Sequence, residues 1–201
     1  MGSVGVQAAG LLSWGSAGRP RPGESVSGDK VVALPFDGGM LLGAVDGAGH
    51  GPLAEAAADA LVLCCAEDPG APMEELILRG HRRLRGTRGA VVSLAHITPG
   101  ALVWSGVGNV AGAIFRADGT REGLIPRAGV VGHRLGPLRV VGRALLPGDL
   151  LAFATDGVHP GFSLPRGFSR EPAVVAAGIL AAHARFDDDA LVVAALAGTS
   201  P

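Results

Sequence analysis

Between Gly89 and Phe115 the chain runs 27 residues without an Asp, Glu, Lys or Arg, and no other feature restricts its accessible folds so severely. A membrane-spanning helix needs only about 20 apolar residues, so this segment is either such a helix or buried sheet. Its interruptions decide for sheet. Pro99-Gly100, Gly106, Gly108-Asn109 and Gly112 break the run, and its apolar members are mostly short groups of Val, Ile and Ala, which suit strands. Strands are expected over Gly89–Ile97, Ala101–Val107, Val110–Arg116 and Arg121–Ile125, turning at Pro99-Gly100, Gly108-Asn109 and Asp118-Gly119 as an antiparallel meander. The hydrophobic fraction of 48% thus reads as core, with no membrane partner.

Around this segment, Ser3–Leu12 alternates roughly and reads as a first strand, and Gly15–Gly28 reads as a loop rich in Gly, Pro, Ser and Arg. Val31–Leu34 and Met40–Val45 form a hairpin across Asp37-Gly38-Gly39, whose pairing brings Asp29 and Asp46 to the same end. Apolar residues at helical spacing predict helices over Pro52–Glu67, Pro72–Leu84 and Glu171–Arg185, and apolar runs predict buried strands over Leu150–Ala154 and Ala190–Leu196. Blocks of strands separated by helices indicate an α+β fold with mainly antiparallel sheet. At 201 residues the chain fits one domain, 1–201, with no room for an attached sensor.

Charge and cysteines narrow the function. With 17 basic and 18 acidic residues the net charge is −1, so no global field draws the protein to nucleic acid or anionic lipid. Cys64 and Cys65 are neighbours within a helical pattern, unsuited to an ordinary disulfide, and read as reduced thiols of a cytoplasmic protein. The N-terminal residues lack the basic segment of a signal peptide.

Acid-glycine corners carry the chemistry. Asp46 ends the apolar run Leu41–Val45 and opens the turn Gly47-Ala48-Gly49-His50-Gly51, after which Pro52 starts a helix. Asp156-Gly157 repeats the corner after Leu150–Ala154, while Asp29 and the triple acid Asp187-Asp188-Asp189 sit at other strand edges. One such acid is most simply an Asx turn. Several at strand ends suit a hard divalent cation, which prefers carboxylate, carbonyl and water oxygens.

The ordered set Ser27-Gly28-Asp29, Asp46-Gly47-x-Gly49-His50-Gly51, Thr155-Asp156-Gly157 and Asp187-Asp188 resembles the metal-dependent serine/threonine protein phosphatases of type 2C. The likeness covers nearly the whole chain, and is greatest to their small bacterial branch, which includes the stressosome phosphatase RsbX and the catalytic domains of RsbU and SpoIIE. It implies an α-β-β-α sandwich holding two Mn²⁺ or Mg²⁺ ions and hydrolysis by a metal-activated water. Asp46 would bridge both ions, with the Gly47 carbonyl on one, Asp156 and Asp187 on the other, and Asp29 binding or orienting water. His50 would donate a proton or orient water, or else pack the turn. The branch also implies phosphorylated STAS-domain proteins of a stressosome or related partner-switching module as substrates. The alternatives are a catalytically inactive binding module of the same fold and a metal-dependent hydrolase of small phosphate esters.

Two departures matter. Ala190 stands where the last family motif has threonine, and three consecutive acids leave the register open by one residue. Aligning the strand that follows selects Asp187 as ligand. Extended backbone from Asp187 onward would set Asp187 and Asp189 on one face and Asp188 on the other. Arg19 and Arg21 precede Asp29 but match no family motif, so the resemblance gives them no role.

Overall fold

The computed structural model describes residues 4–8, 12–165, 167 and 169–198. In chain order its elements are β1 (Val4–Ala8), β2 (Leu12–Arg19), β3 (Asp29–Phe36), β4 (Gly39–Gly47), α1 (Pro52–Ala66) and α2 (Met73–Arg83). There follow β5 (Ala90–Thr98), β6 (Ala101–Val107), β7 (Ala111–Phe115), β8 (Arg121–Leu124) and the short β9 (Gly129–Val130), β10 (Arg134–Leu135) and β11 (Val141–Ala144). The chain closes with β12 (Leu150–Ala154), α3 (Pro172–His183) and β13 (Ala190–Ala197).

Two antiparallel sheets carry the fold, one in the order β1-β2-β13-β12-β7-β8 and the other β11-β6-β5-β4-β3, and β9 and β10 pair separately. Alternation along the strands explains the layering, since successive side chains point to opposite faces. On β4, Leu42 and Ala44 face the opposing sheet, where they meet Ile114, Phe153 and Val193, while Leu41 and Val45 face outward onto Leu61, Leu76 and Ile77 of α1 and α2. Strand β13 divides likewise, Leu191, Val193 and Ala195 lying between the sheets and Val192 and Ala194 under Val175 and Ile179 of α3. The result is the expected α-β-β-α sandwich. Each fully buried Leu, Val or Phe in it contributes about 1.5–3 kcal/mol.

Strands β5 to β8 replace the expected meander with a crossing. β5 and β6 belong to the five-stranded sheet, whereas β7 and β8 belong to the six-stranded one, so Gly108-Asn109 carries the chain from one layer to the other. This is possible because the run is apolar on both faces, and both faces of each sheet are covered. The expected loop at Gly15–Gly28 also begins as strand: β2 runs to Arg19 and pairs along its length with β13, from Leu12 opposite Ala197 to Arg19 opposite Ala190. Its small residues serve packing, because a β-carbon on Gly15 would lie 2.5 Å from the backbone nitrogen of Ala173 at the start of α3. The first strand expected over Ser3–Leu12 is divided between β1 and β2, with Ser3 and residues 9–11 outside the described residues.

Both cysteines are buried and unpaired, and burial pushes the Cys65 thiol up to about 12. Among the described residues no helix is long and apolar enough to cross a membrane.

Candidate functional site

The hairpin register puts Asp29 directly opposite Asp46 at one end of β3 and β4. The other sheet supplies the remaining acids from its facing edge, Asp156 just after β12 and Asp188 and Asp189 just before β13. Together with Arg21, His50 and Asn109 they line a cavity of about 310 Å³, so the site lies in the cleft where the two layers meet. Strand ends suit this role, since each delivers a side chain from rigid sheet into a loop.

Charge is crowded here. Burial, and then the carboxylates of Asp29, Asp156, Asp188 and Asp189, push Asp46 up to about 9. Burial pushes Asp29 up to about 8 against a 2.7 Å hydrogen bond donated by the Thr155 hydroxyl, with Asp189, Asp156 and Asp188 adding to the rise. Asp156 is raised by burial and by Asp188, opposed by Arg185 and by a 2.7 Å hydrogen bond from the Asn109 amide. Such a cluster holds its charge at neutral pH only with a cation to balance it.

Hard oxygen donors with insufficient protein cations match the chemistry of Mg²⁺ or Mn²⁺. Among the described residues no three His, Cys, Asp or Glu side chains are gathered into a complete metal-holding group. Ions here would therefore complete their shells with water and substrate oxygens, as Mg²⁺ commonly does.

Of the residues singled out in the sequence, Asp29, Asp46, His50 and Asp156 line the cavity together. Gly47 is buried beside it, its amide donating to the Gly28 carbonyl at 3.0 Å. Asp187 departs from expectation: it is exposed and absent from the cavity wall, which holds Asp188 and Asp189 instead. The reason is backbone shape. Residues 186–188 form a bend and β13 starts only at Ala190, so strand alternation does not reach back to Asp187, and the C-terminal candidate moves to Asp188. Asp189 has a different occupation. It is buried and accepts hydrogen bonds from the backbone amides of Arg21 at 2.7 Å and Gly28 at 2.8 Å, clamping the β2–β3 loop.

Sequence reasoning missed the contributions of Arg21, Glu24, Asn109 and Thr155. Glu24 accepts from His50 Nδ1 at 2.7 Å, which fixes the imidazole from the far side of the turn. A β-carbon on Gly51, whose φ is +73°, would crowd that carboxylate at 3.2 Å. The turn also presses on α1, where a β-carbon on Gly47 would lie 2.0 Å from the Ala54 carbonyl oxygen. Gly47→Ala is accordingly expected to cost about 3 kcal/mol, at the upper end for overpacking, read as a lower midpoint in urea. An unchanged midpoint would mean that α1 is free to slide.

No family model and no curated protein matches the sequence. The fold does have solved counterparts. A chain from work on the bacterial stressosome as a modular system adapted to control secondary messenger signaling is 28% identical with a TM-score of 0.84, covering 92% of this chain and 98% of that one. RsbX, in a crystal structure with magnesium, is 16% identical with a TM-score of 0.83, covering 98% and 100%. The Mycobacterium tuberculosis serine/threonine phosphatase PstP is 16% identical with a TM-score of 0.77, covering 94% and 100%, and a PstP catalytic domain is known in complex with 2 manganese ions. The two covered sheets and their flanking helices are thus a known architecture: this chain has the fold of the type 2C protein phosphatases, in the form shared by RsbX.

Proposed function

We propose that this protein is a metal-dependent phosphatase that removes phosphate from phosphoserine or phosphothreonine in STAS-domain proteins of a stressosome-like, cytoplasmic signalling complex. The observation that carries the reading is the meeting of Asp29, Asp46, Asp156 and Asp188 around one cavity that also has Arg21 on its wall. These four carboxylates are the residues to hold two Mn²⁺ or Mg²⁺ ions, with Asp46, opposite Asp29 on the hairpin and acted on by the charges of the other three, at the centre of the set. When bound, such ions supply a water acidified to near neutral pKa and the positive charge that a transferring phosphoryl group requires.

The chain's own residues supply orientation. Thr155 and Asn109 each donate to one acid, Asp29 and Asp156 respectively, and so hold the carboxylates in one arrangement before substrate arrives. Arg21, on the cavity wall with its backbone fixed by Asp189, is the residue to meet the phosphate oxygens. Hydrolysis joins a water oxygen to phosphorus and breaks the bond to the seryl or threonyl oxygen, which leaves needing a proton. With Nδ1 of His50 donating to Glu24, Nε2 is the nitrogen that can take up a proton from water and give it to that oxygen. No side-chain nucleophile or phosphoenzyme enters.

Hydrolysis of p-nitrophenyl phosphate by the purified protein tests the reading. Turnover is expected with Mn²⁺ or Mg²⁺ and should vanish in EDTA. A folded sample inactive with either ion would favour a binding module of the same fold. Comparing kcat/KM for a phosphorylated STAS protein and for the small ester then separates a protein phosphatase from an esterase of small molecules, which would prefer the ester.

A further inference from the structure

Two further hollows continue from the carboxylate cavity across the β7–β8 end of the six-stranded sheet. The first, about 550 Å³, shares Asn109 and Asp156 with that cavity and is walled by Ile125, Pro126, Arg121 and Arg185. The second, about 630 Å³, shares Arg121 with the first and reaches Arg170 and Leu164. Through these shared residues the three adjoin in a row that runs as a track from Asp156 past Arg121 to Arg170.

The charges along it are uneven. Arg116, which also borders the outer hollow, is neutralised by Asp149 at 2.7 Å and by Glu122. Arg121 and Arg185 take part in none of the ion pairs among the described residues; the inner hollow has one acid, Asp156, whose charge Arg185 feels, and among the described residues no acid lines the outer hollow. Arg121 is instead set in place by its surroundings. Its guanidinium lies 5.8 Å from the Phe115 ring centre and 5.6 Å from that of Phe162, and donates to the Pro160 carbonyl at 3.3 Å. A guanidinium already immobilised on aromatic faces loses little entropy when it meets a carboxylate. Ile125, 77% exposed, gives the inner hollow an aliphatic wall with nothing covering it.

We propose that this track seats the polypeptide flanking the phosphorylated residue, and that it selects flanks bearing acidic side chains for Arg121 and Arg185 and an apolar one for Ile125. The inference rests on the phosphatase reading, and concerns which phosphoproteins that site accepts. The inner hollow adjoins the carboxylate cavity at Asn109 and Asp156, so it is surface that the chain flanking a phosphate held there can cross. The unpaired guanidiniums make the track complementary to acid on a protein whose net charge is only −1. Exposed ion pairs contribute modestly, so selection should be moderate and weaken in high salt.

The test compares phosphothreonine peptides carrying aspartates on the N-terminal side, aspartates on the C-terminal side, or lysines on both, with p-nitrophenyl phosphate assayed in parallel. One aspartate peptide should exceed the lysine peptide about tenfold in kcat/KM, through KM, as expected for a pair of partly exposed charge contacts. Arg121→Glu should reverse that preference. Ile125→Asp, made at an exposed position where folding is undisturbed, should lower the peptide-to-ester ratio of kcat/KM. Ester turnover with equal rates on all three peptides, or a preference untouched by Arg121→Glu, overturns the track and leaves the active site standing. If no phosphate ester is hydrolysed, the phosphatase reading falls by itself, and fluorescence anisotropy with the same labelled peptides decides the track. Binding of an aspartate peptide that Arg121→Glu abolishes upholds it, and equal or absent binding overturns it.

Discussion

Asp46→Asn is expected to lower Mn²⁺-dependent turnover about 1,000-fold or more, while making the metal-free protein more resistant to heat. The first effect follows from position: Asp46 sits opposite Asp29 and within the influence of three other carboxylates, and losing the several kcal/mol that correctly held ions contribute translates into about this factor. The second follows from charge. Asp46 and Asp29 are pushed from 3.8 to about 9 and about 8 in the folded chain, so between these values and the unfolded 3.8 the folded state retains protons that the unfolded state has released. Stability of the metal-free protein must then fall as pH rises from about 4 toward 9. Removing the central acid flattens that decline and raises the thermal midpoint by a few degrees near pH 8. Added Mn²⁺ should reverse the decline in the wild type, because an ion that binds only the folded state stabilises it. Thermal scans in EDTA from pH 5 to 8 check the sign. A flat wild-type profile, or retained turnover in folded Asp46→Asn, would remove the basis for the two-ion assignment.

Alanine at each of the three consecutive acids should give three different phenotypes. Asp188→Ala loses Mn²⁺ affinity and activity together, since Asp188 lines the cavity and acts on Asp46, Asp29 and Asp156. Asp187→Ala stays near wild type, because Asp187 is exposed and off the wall. Asp189→Ala leaves the Arg21 and Gly28 amides without their acceptor, costing about 1–3 kcal/mol for each bond lost to a buried carboxylate and loosening the loop that carries Arg21. Its deficit should appear first in the denaturation midpoint and then in KM. Mn²⁺ titrations of activity beside urea melts separate the three. An inactive Asp187→Ala next to an active Asp188→Ala would return the ligand to the position that strand alignment selects.

What was legible in the sequence was whatever repeats with a period. Alternation and helical spacing located β3, β4, α1, α2, β12, α3 and β13 to within a few residues, and turn glycines put Asp29, Asp46 and Asp156 at strand ends. β2 escaped because its Gly-Ser-Ala-Gly run has no apolar signal: contact with α3 demands small residues, which look like loop. The triple acid escaped for the opposite reason. Three identical side chains offer no chemical contrast, and only the bend at residues 186–188 decides which of them turns inward. Asn109 and Arg21 stand in connecting segments without periodicity, and what brings them to the acids is the passage between sheets at 108–109 and the Asp189 clamp.

That clamp also orders events in time. Gly28 and Asp189 are 161 residues apart, and the bond from Thr155 to Asp29 spans 126, so each must wait for the closure of a very long loop, while the β3–β4 hairpin closes locally. Contacts of such separation form late and slowly. A chain emerging during synthesis would carry Asp29 and Asp46 as an ordinary solvated pair for most of its elongation, with no pocket to trap a stray cation. Only docking of β13 between β2 and β12 gathers the remaining acids, so on refolding, catalytic competence should return with the slowest phase, after the helices have formed.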